Sequence, residues 1–229
     1  MDKLSRKRAI ELAVTNDLSG YDLSGTDLSV LDFSAVQLKG SLLDRTNLGK
    51  TILIGADLSS SSLVRANLSV SNLTRAILKK SDLTEADLNF SVLIGANFDG
   101  AVLARSNLSL SNLSCSILRN ADLTEANLQQ VEASGADFSG SRMTKANAYG
   151  ANMAGSNLSG ADMEGCILTK ADLTSADLSG ANLKNSELLN VNFTAANLTH
   201  ADLRGSKLTG STFLRAQLEG AQTDEATQG

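Results

Sequence analysis

Side chains able to do chemistry are few and scattered in this chain. His200 is the one histidine, and Cys115 and Cys166 are the two cysteines, in 229 residues that hold no proline and no tryptophan. A zinc site of ordinary spacing draws on about four Cys or His ligands, and a nucleophile needs a base beside it, so neither metal nor thiol chemistry has the residues it requires. Cys166 sits at a position usually filled by Ala, Ser or Thr and reads as a small filler, while Cys115 stands too far away for a disulfide with it. Lys3, Arg6, Lys7 and Arg8 form a basic cluster that would suit a phosphate or a targeting signal, or equally the solvated face of a short helix. No catalytic residue, cofactor or metal is expected, and the chain reads as a non-enzyme.

The elements that position these side chains follow from one pattern. Leu or a stand-in recurs at every fifth residue from Leu18 to Leu218, which makes 41 units without a slip of phase. A small residue, usually Ala, Ser or Thr, lies two positions before nearly every centre, Asp or Asn often lies one before it, and 16 of the 18 glycines lie two after it. Five residues advance a helix by roughly 500°, so the leucines would spray around its axis, and on a straight strand they would alternate faces. A backbone that bends once per unit instead turns every centre and its small partner inward. Such a chain stacks coil on coil at about 4.8 Å, each coil pairing its backbone with the next, as a quasi-one-dimensional solenoid. Glycine fits the bend because positive φ is tolerable there, yet Arg, Lys and Glu occupy other copies, so glycine reads as permitted and not demanded.

The A-(D/N)-L-x-x units of residues 16–222, among them ANLSV, ADLNF, ADLTS and ADLSG, resemble the pentapeptide-repeat family. The resemblance implies an all-β solenoid, a right-handed quadrilateral β-helix with four units per coil, hence about ten coils. The expected organisation is a capping helix within residues 1–15, the repeat solenoid over 16–222 and a fraying tail over 223–229. Leu4, Ile10, Leu12, Ala13 and Val14 would face the first coil, met by Tyr21 and Leu31. Centres Ala133 and Ala148, with Met143, Met153 and Met163 beside them, predict a slightly loose core over 131–163. The family implies no single function. It includes quinolone-resistance proteins that mimic DNA and bind gyrase, immunity proteins, and cyanobacterial regulators, and fold alone does not choose among them.

Outward residues, sorted by coil, carry the functional reading. The corner column Arg65, Glu85, Arg105, Glu125, Lys145 alternates in sign and predicts a charge ladder that fixes register. Across the repeats 21 acids face 16 bases, too thin an excess for a DNA mimic, whose model carries one charge per roughly 1.7 Å of axis. Asp82, Asp122 and Asp162 would supply what acidic stripe there is. Neither a basic stripe nor an aromatic platform supports direct nucleic-acid binding. The corner column Val30, Lys50, Val70, Phe90, Leu110, Gln130 is apolar at four of its six positions, and the adjoining side carries Ile52, Ile54, Val92 and Ile94 where polar residues are usual. Val70, Phe90 and Leu110 with those four predict a patch of roughly a few hundred Å², the scale of an interaction site; the competing explanation is packing between neighbouring strands. The expected function is a non-catalytic protein-binding solenoid, regulatory or scaffolding. The alternative is a DNA-mimicking binder of a type II topoisomerase, DNA gyrase or topoisomerase IV, that protects against its poisons. No run of 18 apolar residues and no secretory leader is evident, which predicts a cytoplasmic protein, monomeric or weakly dimeric, without a membrane partner.

Overall fold

A computed structural model describes residues 2–228; Met1 and Gly229, at the outer limits of the expected cap and tail, lie outside the described residues. Parallel bridges join each residue one before a centre to its counterpart 20 residues on, unbroken from Asp17↔Gln37 to Asp202↔Gln222. Twenty residues per turn means four units per coil, one on each of four sides. The first side begins with centre Leu18, the second with Leu23, the third with Leu28 and the fourth with Phe33. Each bridge is a single residue between turns, so no side carries a run long enough to form an extended strand.

Backbone accounting explains the consensus. In the unit around Leu38, the N–H of Gln37 donates down to Asn16 O at 2.8 Å, and those of Leu38 and Gly40 donate up to Asp57 O and Ser59 O at 2.7 and 3.0 Å. Ser41 N–H closes the corner on Leu38 O at 3.1 Å, as in a type II turn, whose third residue has positive φ. The one N–H left over follows the centre, and the Asp or Asn two residues earlier accepts it, as Asp57 Oδ1 does from Ser59 N at 2.9 Å. Asp and Asn recur there because their short side chains can cap the backbone two residues on. Many buried serines of the small position bond back to the preceding centre, Ser41 Oγ donating to Leu38 O at 2.6 Å, whereas the hydroxyls of Ser116, Ser141 and Ser156 have no partner among the described residues.

All 41 corner residues from Gly20 to Gly220 have positive φ, 25 of them not glycine. This corrects the expectation that the bend merely tolerates such a backbone: the corner requires it whatever the side chain.

Leucine centres, small partners and the phenylalanines Phe33, Phe98, Phe138 and Phe193 fill one continuous core, which also buries Ala133, Ala148 and the three methionines beside them. At the first coil, Asp2–Leu4 run extended, with Lys3 bridging Asp22. The helix α1 is confined to Arg6–Ala13, with Ser5 as N-cap. Ala9 and Leu4 are buried and Leu12, Ala13, Tyr21 and Leu31 pack against the core, but Ile10 and Val14 stay exposed, because an eight-residue helix offers the coil too narrow a stripe to turn both inward. Arg6 fastens α1 by donating to Asp27 O and Ser29 O at 2.6 and 3.1 Å. At the far end the tail folds into a 3₁₀ turn, Glu225–Gln228, and Thr227 Oγ reaches Leu203 O at 3.2 Å.

Candidate functional surface

The corner between the third and fourth sides carries the predicted apolar column. Successive coils place Val70, Phe90 and Leu110 there, with relative exposures of 53%, 56% and 45%. Their φ values are 59°, 54° and 59°. In this left-handed region a Cβ crowds the following carbonyl, and a β-branched or bulky residue is a strained choice. Val30 and Val70 are the β-branched residues among the 25 non-glycine corners. Of the six phenylalanines, Phe90 is the one set outward on a corner.

On the adjoining fourth side, Ile52 and Ile54 lie in one coil and Val92 and Ile94 two coils on, with Asn72 and Thr74 between them. Ile52, Ile54 and Ile94 are exposed and Val92 is half-buried. Ile52 and Val92 stand where the Asx cap belongs. The N–H groups of Ile54 and Ile94 therefore have no acceptor among the described residues, whereas Thr74 N between them is capped by Asn72 Oδ1 at 3.0 Å. The same substitution interrupts a ladder of amides. On the third side Asn67 donates to Asn47, Asn107 to Asp87 and Asn127 to Asn107, at 2.9 to 3.1 Å. Asn72 and Asn112 have Ile52 and Val92 below them, and their side-chain N–H groups find no protein partner among the described residues. Apolar caps also occur at Leu42, Ile77, Val102, Ile117 and Ile167, with Ile77 and Ile117 likewise two coils apart on the first side, but none has both an apolar residue two positions on and an apolar corner column beside it.

Several charged groups elsewhere are held in ion pairs. Glu85 accepts from Arg65 and Arg105 at 2.6 and 3.0 Å, and these hydrogen bonds, Arg65 first, hold its carboxyl below the ordinary range. The expected ladder stops there: Glu125 pairs with neither Arg105 nor Lys145 among the described residues. On the second side Arg142 pairs with Asp122 at 2.7 Å, and Arg204 and Lys184 converge on Asp202 at 2.6 and 3.0 Å, depressing its pKa strongly. In the basic cluster Arg6 is committed to the cap and Arg8 to Glu11 at 3.1 Å. Burial pushes the Cys166 thiol up to about 12, so it holds no thiolate at neutral pH; Cys115 is exposed on another corner. Among the described residues no group of acidic, Cys or His side chains could hold a metal ion, and no helix is long and apolar enough to cross a membrane.

A family model for pentapeptide repeats matches residues 32–69, 51–89, 91–130, 121–160, 149–185 and 186–221, in eight copies. The chain belongs to the pentapeptide-repeat family. Its four-sided coil is accordingly a right-handed quadrilateral β-helix, an architecture whose members are typically non-catalytic structural and interaction modules. Solved structures similar to it include HetL, a pentapeptide repeat protein involved in heterocyst differentiation regulation from the cyanobacterium Nostoc sp. strain PCC 7120. That match has 29% identity over 97% of this chain and 98% of HetL, with a TM-score of 0.40. They also include QnrB1, a plasmid-mediated fluoroquinolone resistance protein. Its full-length form is 22% identical over 76% of this chain and 92% of its own, with a TM-score of 0.57, and a trypsin-treated form reaches 0.61 at 23% identity, over 76% of this chain and 91% of its own. No curated protein matches the chain in sequence. At these identities the QnrB1 likeness concerns the fold alone.

Proposed function

We propose that the chain is a non-catalytic protein-docking rod, regulatory or scaffolding, whose partner seats on the Val70–Phe90–Leu110 corner and the Ile52, Ile54, Val92 and Ile94 side. The observation that carries this reading is the cost of the patch. Three bulky apolar residues occupy left-handed corners, and two backbone caps are given up beside them, with no gain in core burial to offset either loss. Strain that the fold does not use is expected where another molecule uses it.

The test compares a native lysate passed over wild-type protein and over Phe90→Ser, alone or with Ile94→Ser, with folding checked by far-UV circular dichroism. A partner held by the wild type should be lost by the folded variants, a deficit of about 2 kcal/mol or more. Equal retention overturns the reading.

The topoisomerase alternative has less support. A DNA mimic needs a sustained negative stripe, and on the second side Arg142 neutralises Asp122 while two cations converge on Asp202. Purified protein is expected to leave gyrase supercoiling and its sensitivity to poisons unchanged. Protection that vanishes when Asp82, Asp122 and Asp162 are neutralised would replace the docking proposal with this one.

A further inference from the structure

The patch is apolar at its centre and, around it, one-sided in its hydrogen bonding. Lys50 and Arg75, both exposed, flank the coils of Ile52, Val70 and Ile94 and have no ion pair among the described residues. The N–H groups of Ile54 and Ile94 and the side-chain amides of Asn72 and Asn112 add unused donors. The orientation of those amides is set by the backbone, since Thr74 N and Ser114 N donate to Asn72 Oδ1 and Asn112 Oδ1 at 3.0 and 2.9 Å, which leaves each NH₂ as the end without a hydrogen-bond partner among the described residues. Carboxylates on the same side lie one coil beyond the patch at either end and are engaged already, Asp32 with Ser34 and Glu132 with Asn152. Asp87, on the third side beside Phe90, is also engaged, accepting from Asn89 N and the Asn107 amide at 3.1 Å, so the free donors and unpaired cations exceed the free carboxylates and call for an acidic, acceptor-rich partner.

The backbone also limits the form of that partner. Ile52 already bridges Asp32 and Asn72, and Val92 bridges Asn72 and Asn112. The flank of the rod therefore has no free edge, and an added strand has nothing to pair with. Recognition must run through side chains. Lys50 to Leu110 is three coil steps, about 14 Å at the sheet spacing, which a helix covers in roughly ten residues. Each helical turn advances about 5.4 Å against about 4.8 Å per coil, so a helix lying along the rod offers one apolar side chain per coil over this length.

Resting on the docking role proposed above, we infer that the occupant of the patch is an acidic amphipathic helix of about three turns, lying along the rod with its apolar stripe on Val70, Phe90 and Leu110 and its carboxylates toward Lys50, Arg75 and the unused amides. A second copy of this chain is disfavoured, because its own patch would bring the same unmatched donors.

The test uses the full chain and three dye-labelled peptides of equal length. One carries leucines on a single helical face flanked by glutamates, the second is a scramble that spreads those leucines around the helix, and the third has lysines in place of the glutamates. The acidic amphipathic peptide should bind by fluorescence anisotropy about tenfold tighter than either other, gain helicity on binding, and weaken as salt rises. Lys50→Glu with Arg75→Glu should reverse the preference between the acidic and the basic peptide, and Phe90→Ser should abolish binding of both.

Equal binding of the three peptides, or binding of none, overturns the acidic helix. Preference for the basic or the scrambled peptide, lost in Phe90→Ser, overturns it while leaving a docking surface of other specificity. Binding that survives Phe90→Ser sinks the patch itself. A wild-type dimer in sedimentation that Phe90→Ser dissolves gives the surface to a second copy and also overturns the inference.

Discussion

Val70→Asn should stabilise the protein, although it replaces an apolar residue with a polar one. Val70 holds φ at 59°, where an L-residue pays about 1–2 kcal/mol and a β-branched one sits toward the upper end. Asn visits this region more readily, and Asn120, Asn185 and Asn190 occupy equivalent corners at φ 54°–56°. Against that relief stands lost burial. Val70 is 53% exposed, so about half of the 1.5–3 kcal/mol of a fully buried valine is at stake, and Asn keeps the contacts of its own Cβ, leaving a loss of about 0.5 kcal/mol. The net gain is about 0.5–1 kcal/mol, or a few degrees in Tm for a chain of this length. Gly55→Val supplies the reverse experiment on the next corner of the rod. Gly55 has φ +65° and nothing within 4 Å of an added Cβ, so its loss of about 1–2 kcal/mol, less what a stiffer unfolded chain returns, measures backbone strain without a clash. Urea melts followed by far-UV circular dichroism read both variants. A Val70→Asn variant that is clearly less stable than wild type would refute the reasoning, because the apolar column would then be packing that holds coils together.

Leu108→Ala, in the middle of the core where Leu108 is fully buried, should cost about 2–5 kcal/mol in the same melts, since flanking coils cannot collapse into the gap. Glu85→Lys sets like charges beside Arg65 and Arg105 and should lower stability at low salt, with the deficit shrinking as salt is added; a deficit indifferent to salt would mean that geometry, not charge, is at work. Stability should stay level from about pH 8 to 5 and fall below about pH 4. Arginine contacts lower the folded-state pKa of Glu85 and Asp202, so their contribution is present above the unfolded pKa and lost as pH falls through the folded one. Acid titration of the melting midpoint checks the sign.

Phase was legible in the sequence because every unit repeats the same inward pair, and 41 copies leave one solution for which residues face the axis. The number of units per coil was not, since any closed polygon of five-residue sides satisfies the same period; the 20-residue bridge register supplies it. The corner conformation was half legible. Sixteen glycines marked it, but Arg45, Lys80 and Glu125 disguised a requirement as a preference, because the φ is imposed by inter-coil hydrogen bonds that long side chains do not disturb. Asp and Asn before the centres were visible as a preference without a reason, and the reason is the one N–H per unit that no backbone carbonyl of a neighbouring coil accepts. Ile10 and Val14 were misjudged as cap because hydrophobicity alone does not reveal how short α1 is. For the candidate surface, composition and stacking gave the membership. Its costs, the strained corners and the missing caps at Ile54 and Ile94, appear only once the backbone is in view.

Those costs are what separate this surface from the other apolar substitutions on the rod. Each unit satisfies its backbone in the same way, so losing a cap costs much the same at Leu42 as at Ile52, and neither loss by itself implies a use. Scattered losses are what drift would leave in a fold stabilised by many equivalent units, where the neighbours on both sides hold any one unit in place. Concentration is different. Ile77 and Ile117 show the same two-coil spacing on the first side, but with no apolar corner column beside them; at the patch the two capless units stand beside three consecutive bulky left-handed corners, so their penalties sum over the same few coils without enlarging the core. A rod can absorb this in its middle because the coils around Phe90 are held from above and below, and the same rigidity means the patch is already ordered before a partner arrives, sparing the association most of the entropy of arranging it.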